Sequence, residues 1–167
     1  MNLTALPLEG PPDRTIDRLF IEPLAAARYV PMSPLTWVDV GSGGGSPAIP
    51  LKLLRPHAKL TMVESKARKV AFLREAVRTL ALAGADVQSV RFEDLSAGQA
   101  FANMITLRAV RVDDELLAAC RSVLQLGGEL FLFQTAVEPR FDIAGFRRFK
   151  TIQLTPAPAH LSILKAV

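Results

Sequence analysis

The sequence predicts an α/β fold, a mostly parallel, doubly wound sheet finished by a C-terminal antiparallel hairpin. Three observations carry this. Strand-like and helix-like runs alternate from Leu35 to Gln134, as they do where parallel strands are joined by crossover helices. The stretch Asp39-Val40-Gly41-Ser42-Gly43-Gly44-Gly45-Ser46-Pro47 stands between an apolar run, Leu35 to Val40, and a helical run, Ala48 to Leu54. That is the strand-to-helix glycine turn at which such sheets receive nucleotide-like ligands. Finally, Lys150 to Leu154 and Leu161 to Ala166 are strand-like and separated only by Thr155 to His160, which leaves no room for a crossover helix.

The 167 residues have the length of one domain, enough to bury a core without metal or disulfide staples. We read 1–34 as an N-terminal arm with short helices and 35–167 as the core of that single domain. Half the residues are apolar and 22% are charged, a globular rather than a disordered composition. No apolar run approaches the roughly 20 residues that span a bilayer, and Met1 to Pro12 carries neither a basic leader nor a long apolar segment. With a single cysteine, Cys120, no internal disulfide forms, and a reducing, cytoplasmic setting is expected. The net charge is +4, which suits an acidic partner such as RNA without requiring one.

Met1 to Arg14, rich in proline and turn residues, reads as a loosely held arm or lid. From Thr15 to Tyr29 the apolar positions Ile16, Leu19, Phe20, Leu24 and Ala27 recur at helical intervals, and Pro23 divides them into two short helical pieces. Pro31 and Pro34 force an extended entry into the first strand. Pro50 moves the start of the first crossover helix to about its own position. Lys59 to Glu64 is a second strand, and Lys66 to Ala83 a long helix closed by Gly84, with Val70, Leu73, Val77 and Leu80 as its apolar stripe. Asp86 to Arg91 is a third strand and Ala102 to Leu107 a fourth. Asp113 to Leu126 is a helix ending at Gly127-Gly128, and Gly128 to Gln134 a fifth strand.

Ligands of a doubly wound sheet lie beyond the carboxyl ends of its strands. The glycines remove every Cβ where the backbone turns, so a ligand touches the main chain directly. Asp39 decides which ligand. A pyrophosphate seated on the loop's N–H groups would be repelled by that carboxylate, whereas the amine and sulfonium of S-adenosylmethionine would be attracted. Glu64, with Ser65, ends the second strand at the spacing where a carboxylate accepts from both hydroxyls of a ribose; the plainer reading is a solvated acid at a helix start. Glu93 suits an adenine amino group, with Phe92 against the ring, unless Phe92 is simply core. Arg108 follows the fourth strand, where a surface arginine would pair with Asp113 or Asp114.

These residues resemble a known family. The run from Asp39 to Leu51, Glu64-Ser65 followed by Lys66 to Leu73, Arg91-Phe92-Glu93, and Leu107-Arg108-Ala109 together are similar to the glucose-inhibited division protein B family. Its members are bacterial methyltransferases of Rossmann-like, class I fold that act on guanine N7 of small-subunit ribosomal RNA. The likeness covers approximately Arg18 to Glu129, and the trailing Pro47-x-x-Pro50-Leu51 is its most specific part. It implies S-adenosyl-L-methionine as cofactor and 16S ribosomal RNA or the small ribosomal subunit as partner. By motif position it assigns Asp39, Gly41, Ser42, Gly43, Gly44 and Gly45 to the methionine end, Glu64 and Ser65 to the ribose, and Arg91, Phe92 and Glu93 to the adenine edge. It makes Arg108 the catalytic residue nearest the reaction. Ser46 and Ala48 stand where an aromatic and a glycine are usual, and Gln134-Thr135 replace a lysine-glycine pair.

Absent features bear on the chemistry. Guanine N7 has an exposed lone pair and needs no general base. Adenine amino methylation usually brings an Asn/Asp-Pro-Pro-aromatic motif where this chain has Leu107-Arg108-Ala109-Val110. Carbon methylation of a pyrimidine needs a nucleophilic cysteine, and Cys120 falls on the apolar face of Leu116, Leu117 and Leu124. Neither His57 nor His160 has a partner at metal-ligand spacing, so no metal is expected. Two rivals use the same cofactor: transfer to a small molecule, and a non-catalytic module that binds RNA or protein. A nucleotide-dependent oxidoreductase is opposed by Asp39 and by the terminal hairpin. Oligomeric state is left open.

Overall fold

The computed structural model describes residues 15–95, 100–135, 145–154 and 159–167; the expected N-terminal arm and most of the expected hairpin connection, 155–158, lie outside them. The elements are a π-helical turn Asp17–Ile21, α1 (Glu22–Ala26), a 3-10 turn Ala27–Tyr29, β1 (Thr36–Val40), α2 (Ala48–Leu54), β2 (Lys59–Val63), α3 (Ala67–Thr79), β3 (Ala85–Gln88), α4 (Phe92–Leu95), β4 (Ala102–Arg108), α5 (Asp114–Val123), β5 (Leu124–Gln134), β6 (Phe146–Leu154) and β7 (Ala159–Ala166). The strands form one seven-stranded sheet in the order β3-β2-β1-β4-β5-β7-β6. Every pairing from β3 to β5 is parallel, while β5 with β7 and β7 with β6 are antiparallel. The predicted fold class is therefore the observed one.

Parallel strands buried on both faces read as continuous apolar runs, and β1 and β4 show why. Trp37 faces a cluster with Ala26 and Ala27 of the N-terminal helical segment, Leu51 of α2, and Val70 and Leu73 of α3. Its neighbour Val38 faces the opposite cluster, with Phe92 of α4 and Leu116, Leu117, Cys120 and Val123 of α5. The pleat alternates side chains in this way, so Asp39 shares the face of Trp37, and Thr106 and Arg108 that of Met104. Adjacent β1 and β4 at the sheet's centre lead their connections to opposite sides, which opens a crevice between their carboxyl ends.

Several boundaries differ from expectation, each for a local reason. Pro23 does not divide the N-terminal helical segment: Glu22 N donates to Asp17 O in a π turn, and Pro23 sits in the first turn of α1, where a missing N–H is harmless. In α2, likewise, Pro50 occupies the first turn, and Ile49 N already donates to Gly45 O, so the helix starts at Ala48. Helix α3 stops at Thr79 because Ala81 turns to φ 49° and Leu82 N reaches back to Val77 O. This C-terminal reversal tucks Leu82 into the core and leaves Leu80 of the expected stripe 45% exposed. The pair Gly127-Gly128 does not end α5, which closes three residues earlier on a β-region Leu124. It lies in a distorted part of β5, where the register with β4 shifts between Ala102 and Met104. A Cβ at Gly128 would come within 2.9 Å of Gln125 O and 3.2 Å of Asn103 O, so the glycine permits the strands to close up.

Two basic side chains secure the base of this layer. Lys52 is 1% exposed and donates from Nζ to Pro56 O at 2.8 Å and to Ala58 O at 2.5 Å, satisfying carbonyls of the turn that joins α2 to β2. Arg55 donates to Val30 O at 3.1 Å and to Ala27 O, tying the N-terminal helical segment to α2. Among the described residues no helix is long and apolar enough to cross a membrane.

Candidate active site

The glycine turn is pinned from below. Gly41 N and Ser42 N both donate to Val63 O, at 2.9 and 3.1 Å, so the loop after β1 hangs on the end of β2. Gly41, Gly43 and Gly45 have φ of 67°, 53° and 86°, a region that glycine enters freely and residues with a Cβ enter at a cost. A Cβ on Gly41 would stand 2.6 Å from Val110 Cγ1, and one on Gly45 would run into Ile49 Cδ1. A side chain at either position would have to displace Val110 or Ile49. Gly43 differs, because the nearest atoms to its hypothetical Cβ are Gly41 O at 3.6 Å and Lys69 Nζ at 3.7 Å. There the missing side chain leaves room for a ligand, and the space is flanked by a cation from α3. The Ser46–Pro47 peptide beyond it is cis.

Asp39 is 1% exposed. Trp37 Nε1 donates to Thr106 Oγ1 at 2.8 Å, and Thr106 Oγ1 donates to Asp39 Oδ1 at 2.5 Å, a relay made possible because Asp39 and Thr106 are register partners. Asp39 Oδ2 has no partner among the described residues. Burial pushes its pKa up to about 6, against the opposing pull of the Ser42 and Thr106 hydroxyls and of Arg108. A buried acceptor normally has a donor, and the described residues supply none to this oxygen. Ser42 is 2% exposed and donates from Oγ to Asp39 O at 3.0 Å.

Glu64 is not a solvated acid. It is 7% exposed, accepting from Gly43 N on Oε2 at 3.1 Å and from Lys66 N on Oε1 at 2.9 Å. It thereby joins the glycine turn to the start of α3, and each oxygen retains a second lone pair for a ribose hydroxyl. Ser65 is exposed beside it. Across the crevice Arg91 and Glu93 are exposed, whereas Phe92 is 4% exposed and belongs to the core cluster around α5. The plainer reading of Phe92 describes its ring.

Arg108 ends β4 on the same face as Asp39. Its partner is neither Asp113 nor Asp114: Nη2 donates to Glu22 Oε2, 86 residues earlier, in a pair with side chains 8% and 12% exposed. Nη1 donates to Ser46 Oγ at 3.3 Å, and Cζ lies 5.6 Å from the Phe133 ring centroid. Asp113 instead caps α5 by accepting from Leu116 N. Ala109, next in the chain, has φ 54°, a strained value for a residue with a side chain.

Thr106 and Glu22 stand at the candidate site without having been expected there from the sequence. A lone hydroxyl in the apolar run Met104 to Leu107 was the signal for Thr106. For Glu22 there was none, since nothing local links positions 22 and 108. Among the described residues no group of three or more His, Cys, Asp and Glu side chains could hold a metal.

The sheet order, the terminal hairpin and the acid-glycine turn define the class, the Rossmann-like methyltransferase fold. A SAM-dependent methyltransferase from Aquifex aeolicus shares it, with a TM-score of 0.77 over 100% of both chains at 14% identity. Residues 1–144 match the family model described as rRNA small subunit methyltransferase G, GidB. The chain belongs to this family, the one its motifs resemble. It is 36% identical over 143 residues to ribosomal RNA small subunit methyltransferase G of Xanthomonas campestris pv. campestris, covering 86% of this chain and 64% of that protein. To the Rubrobacter xylanophilus protein of the same name it is 40% identical over 113 residues, covering 66% and 41%. The chain thus spans less than two thirds of the length of these relatives.

Proposed function

We propose that this chain, acting as a single domain in the cytoplasm, is a methyltransferase that uses S-adenosylmethionine to methylate N7 of a guanine in 16S ribosomal RNA. The observation that carries the reading is the buried Asp39 Oδ2, without a partner among the described residues, at the entry to a glycine turn in which a Cβ on Gly43 would meet nothing closer than 3.6 Å. That pair of features suits a ligand with an ammonium group whose chain passes over the glycine backbone. When bound, S-adenosylmethionine supplies an electrophilic methyl group on a cationic sulfur.

The residues then have distinct tasks. Ionised Asp39 accepts from the ligand's amine, and Gly41, Gly43, Gly44 and Gly45 let it approach the main chain. Glu64, with Ser65, holds the ribose on lone pairs not used by Gly43 N and Lys66 N. Arg91 and Glu93, with the backbone at Phe92, border the adenine. Arg108 has three of its five N–H donors without partners among the described residues; these suit guanine O6 or a phosphate. No side chain has to remove a proton, because the attacking N7 carries none. Nucleophilic catalysis by Cys120 is disfavoured, since burial pushes its thiol up to about 12.

The test is to incubate the protein and methyl-labelled S-adenosylmethionine with ribosomal RNA from a strain lacking the protein, then map the label. Label in 16S RNA at a guanine N7 is expected, and Arg108→Ala should abolish it while leaving cofactor affinity within a few-fold. Unlabelled RNA, or calorimetric binding of NAD but not of S-adenosylmethionine, would overturn the reading.

A further inference from the structure

We propose that Glu22, on the N-terminal helical segment, is the positioning residue that fixes the Arg108 guanidinium over the crevice, with Ser46 as the second anchor. The inference rests on the methyltransferase reading and adds to it a part that lies outside the sheet and its loops.

Three contacts on different sides restrain Arg108: the Glu22 carboxylate, the Ser46 hydroxyl and the face of Phe133. Ser46 Oγ also donates to Leu19 O at 2.9 Å, so the N-terminal segment, the glycine turn and the end of β4 meet in one network. The segment is in turn held by Arg55, which donates to Ala27 O and Val30 O. A four-torsion side chain held at its tip loses the freedom that would otherwise spread it over many orientations. It can then present its remaining donors in one plane.

The pair is poorly explained as a stabilising contact. Burial holds the Glu22 carboxyl above its ordinary value even though Arg108 and Arg18 pull it down. Burial also holds Arg108 below its ordinary value even though Glu22 and Asp39 raise it. In both groups burial is the largest single influence, and the cost of taking two charges out of water is what a buried ion pair must offset before it stabilises. What it does fix is geometry. Asp17 and Arg18 are the other charges felt by Glu22, and neither takes its place as the hydrogen-bonded partner of Arg108. Ser46 is one of the loop's departures from its family, and here it supplies both a contact to Arg108 and one to the N-terminal segment.

The experiment compares Glu22→Gln and Glu22→Asp with the unaltered chain in methyl transfer to 16S RNA, cofactor calorimetry, thermal melting and nitrogen-15 NMR of arginine side chains. The Arg108 signals are identified by their loss in Arg108→Lys. Expected for Glu22→Gln is a fall in kcat of about 10²-fold, the scale of a misplaced catalytic group. Cofactor affinity should stay within a few-fold, and the Arg108 side-chain N–H signals should exchange with water faster. Glu22→Asp, which keeps the charge on a shorter stem, should recover at least tenfold of the lost rate. Unchanged Arg108 signals, or losses in rate, affinity and melting point shared equally by both variants, would overturn the positioning role. Should Glu22→Gln fail to fold, Ser46→Ala is read through the same Arg108 signals: faster exchange supports the positioning role and unchanged exchange overturns it. If the signals respond to Glu22 but the unaltered chain labels no RNA, the positioning stands and the RNA reading falls.

Discussion

The Asp39 carboxyl sets up a conflict that can be measured. Its folded-state pKa, about 6, lies above the ordinary 3.8 because burial disfavours the charge. For an acid displaced in this direction the associated stability is fully present below pH 3.8 and lost as pH rises through about 6. In the ligand-free chain the full loss is about 3 kcal/mol, because each tenfold change in proton affinity is worth about 1.4 kcal/mol. About 1.4 kcal/mol of it falls between pH 5 and 8, the range in which a protein of this kind stays folded. Asp39→Asn removes the titration while retaining an oxygen for Thr106. Any constant cost of the new amide cancels when the two proteins are compared at two pH values. The unaltered chain should therefore lose about 3 to 6 °C of melting temperature between pH 5 and 8 relative to Asp39→Asn. If Asp39 holds the ligand's amine as proposed, binding of S-adenosylmethionine should show the opposite dependence, because only the ionised carboxylate attracts that cation. Its affinity should drop about tenfold per pH unit below about 6, and Asp39→Asn should lose it at every pH. Parallel melting curves would refute the burial argument, and near-normal binding by the variant would refute the role.

Other consequences are simpler to check. Gly43→Ala should melt within a few degrees of the unaltered chain, since only its positive φ opposes the methyl group at about 1–2 kcal/mol, yet lose cofactor binding in calorimetry. Gly45→Ala, whose methyl meets Ile49 Cδ1, should melt below Gly43→Ala when followed by circular dichroism, because the Ile49 side chain has to move as well. Glu64→Ala removes the acceptor of two backbone N–H groups and should cost about 3 kcal/mol in urea unfolding; Glu64→Gln should cost less. Cys120, fully buried with its thiol pushed to about 12, should resist a thiol-reactive dye at pH 8 for as long as the chain is folded and react at once in urea.

The parts of this molecule that sequence made legible are those whose cause is local. Alternating strand and helix signals gave the sheet, and Thr155 to His160 was too short a link for anything but a hairpin. Asp39 and the glycines lie within seven residues of one another, so the character of the turn could be argued directly. Gly127-Gly128 misled because a glycine pair after a helical run looks like a helix terminator, while the same pair also serves where two strands approach too closely for a Cβ. Leu80 continued the spacing of the α3 stripe, but burial of Leu82 drew the chain away first. The pairing of Glu22 with Arg108 was beyond reach, since only the finished packing of the N-terminal segment against the carboxyl end of β4 creates it. The meaning of Thr106, a lone hydroxyl in an apolar run, depends on the register that sets it opposite Asp39.

Trp37 is the chain's single tryptophan, with no exposed surface, and its indole N–H reaches the Asp39 carboxyl through one hydroxyl. Hydrogen bonds in a chain polarise one another. The electron density at the indole therefore changes when the far end of the chain gains a proton or a cationic partner. The molecule carries its own optical gauge, a fluorophore placed by the fold beneath the crevice and needing no label. Excited at the red edge of tryptophan absorption, where Tyr29 does not absorb, its emission should track the filling of the site in real time.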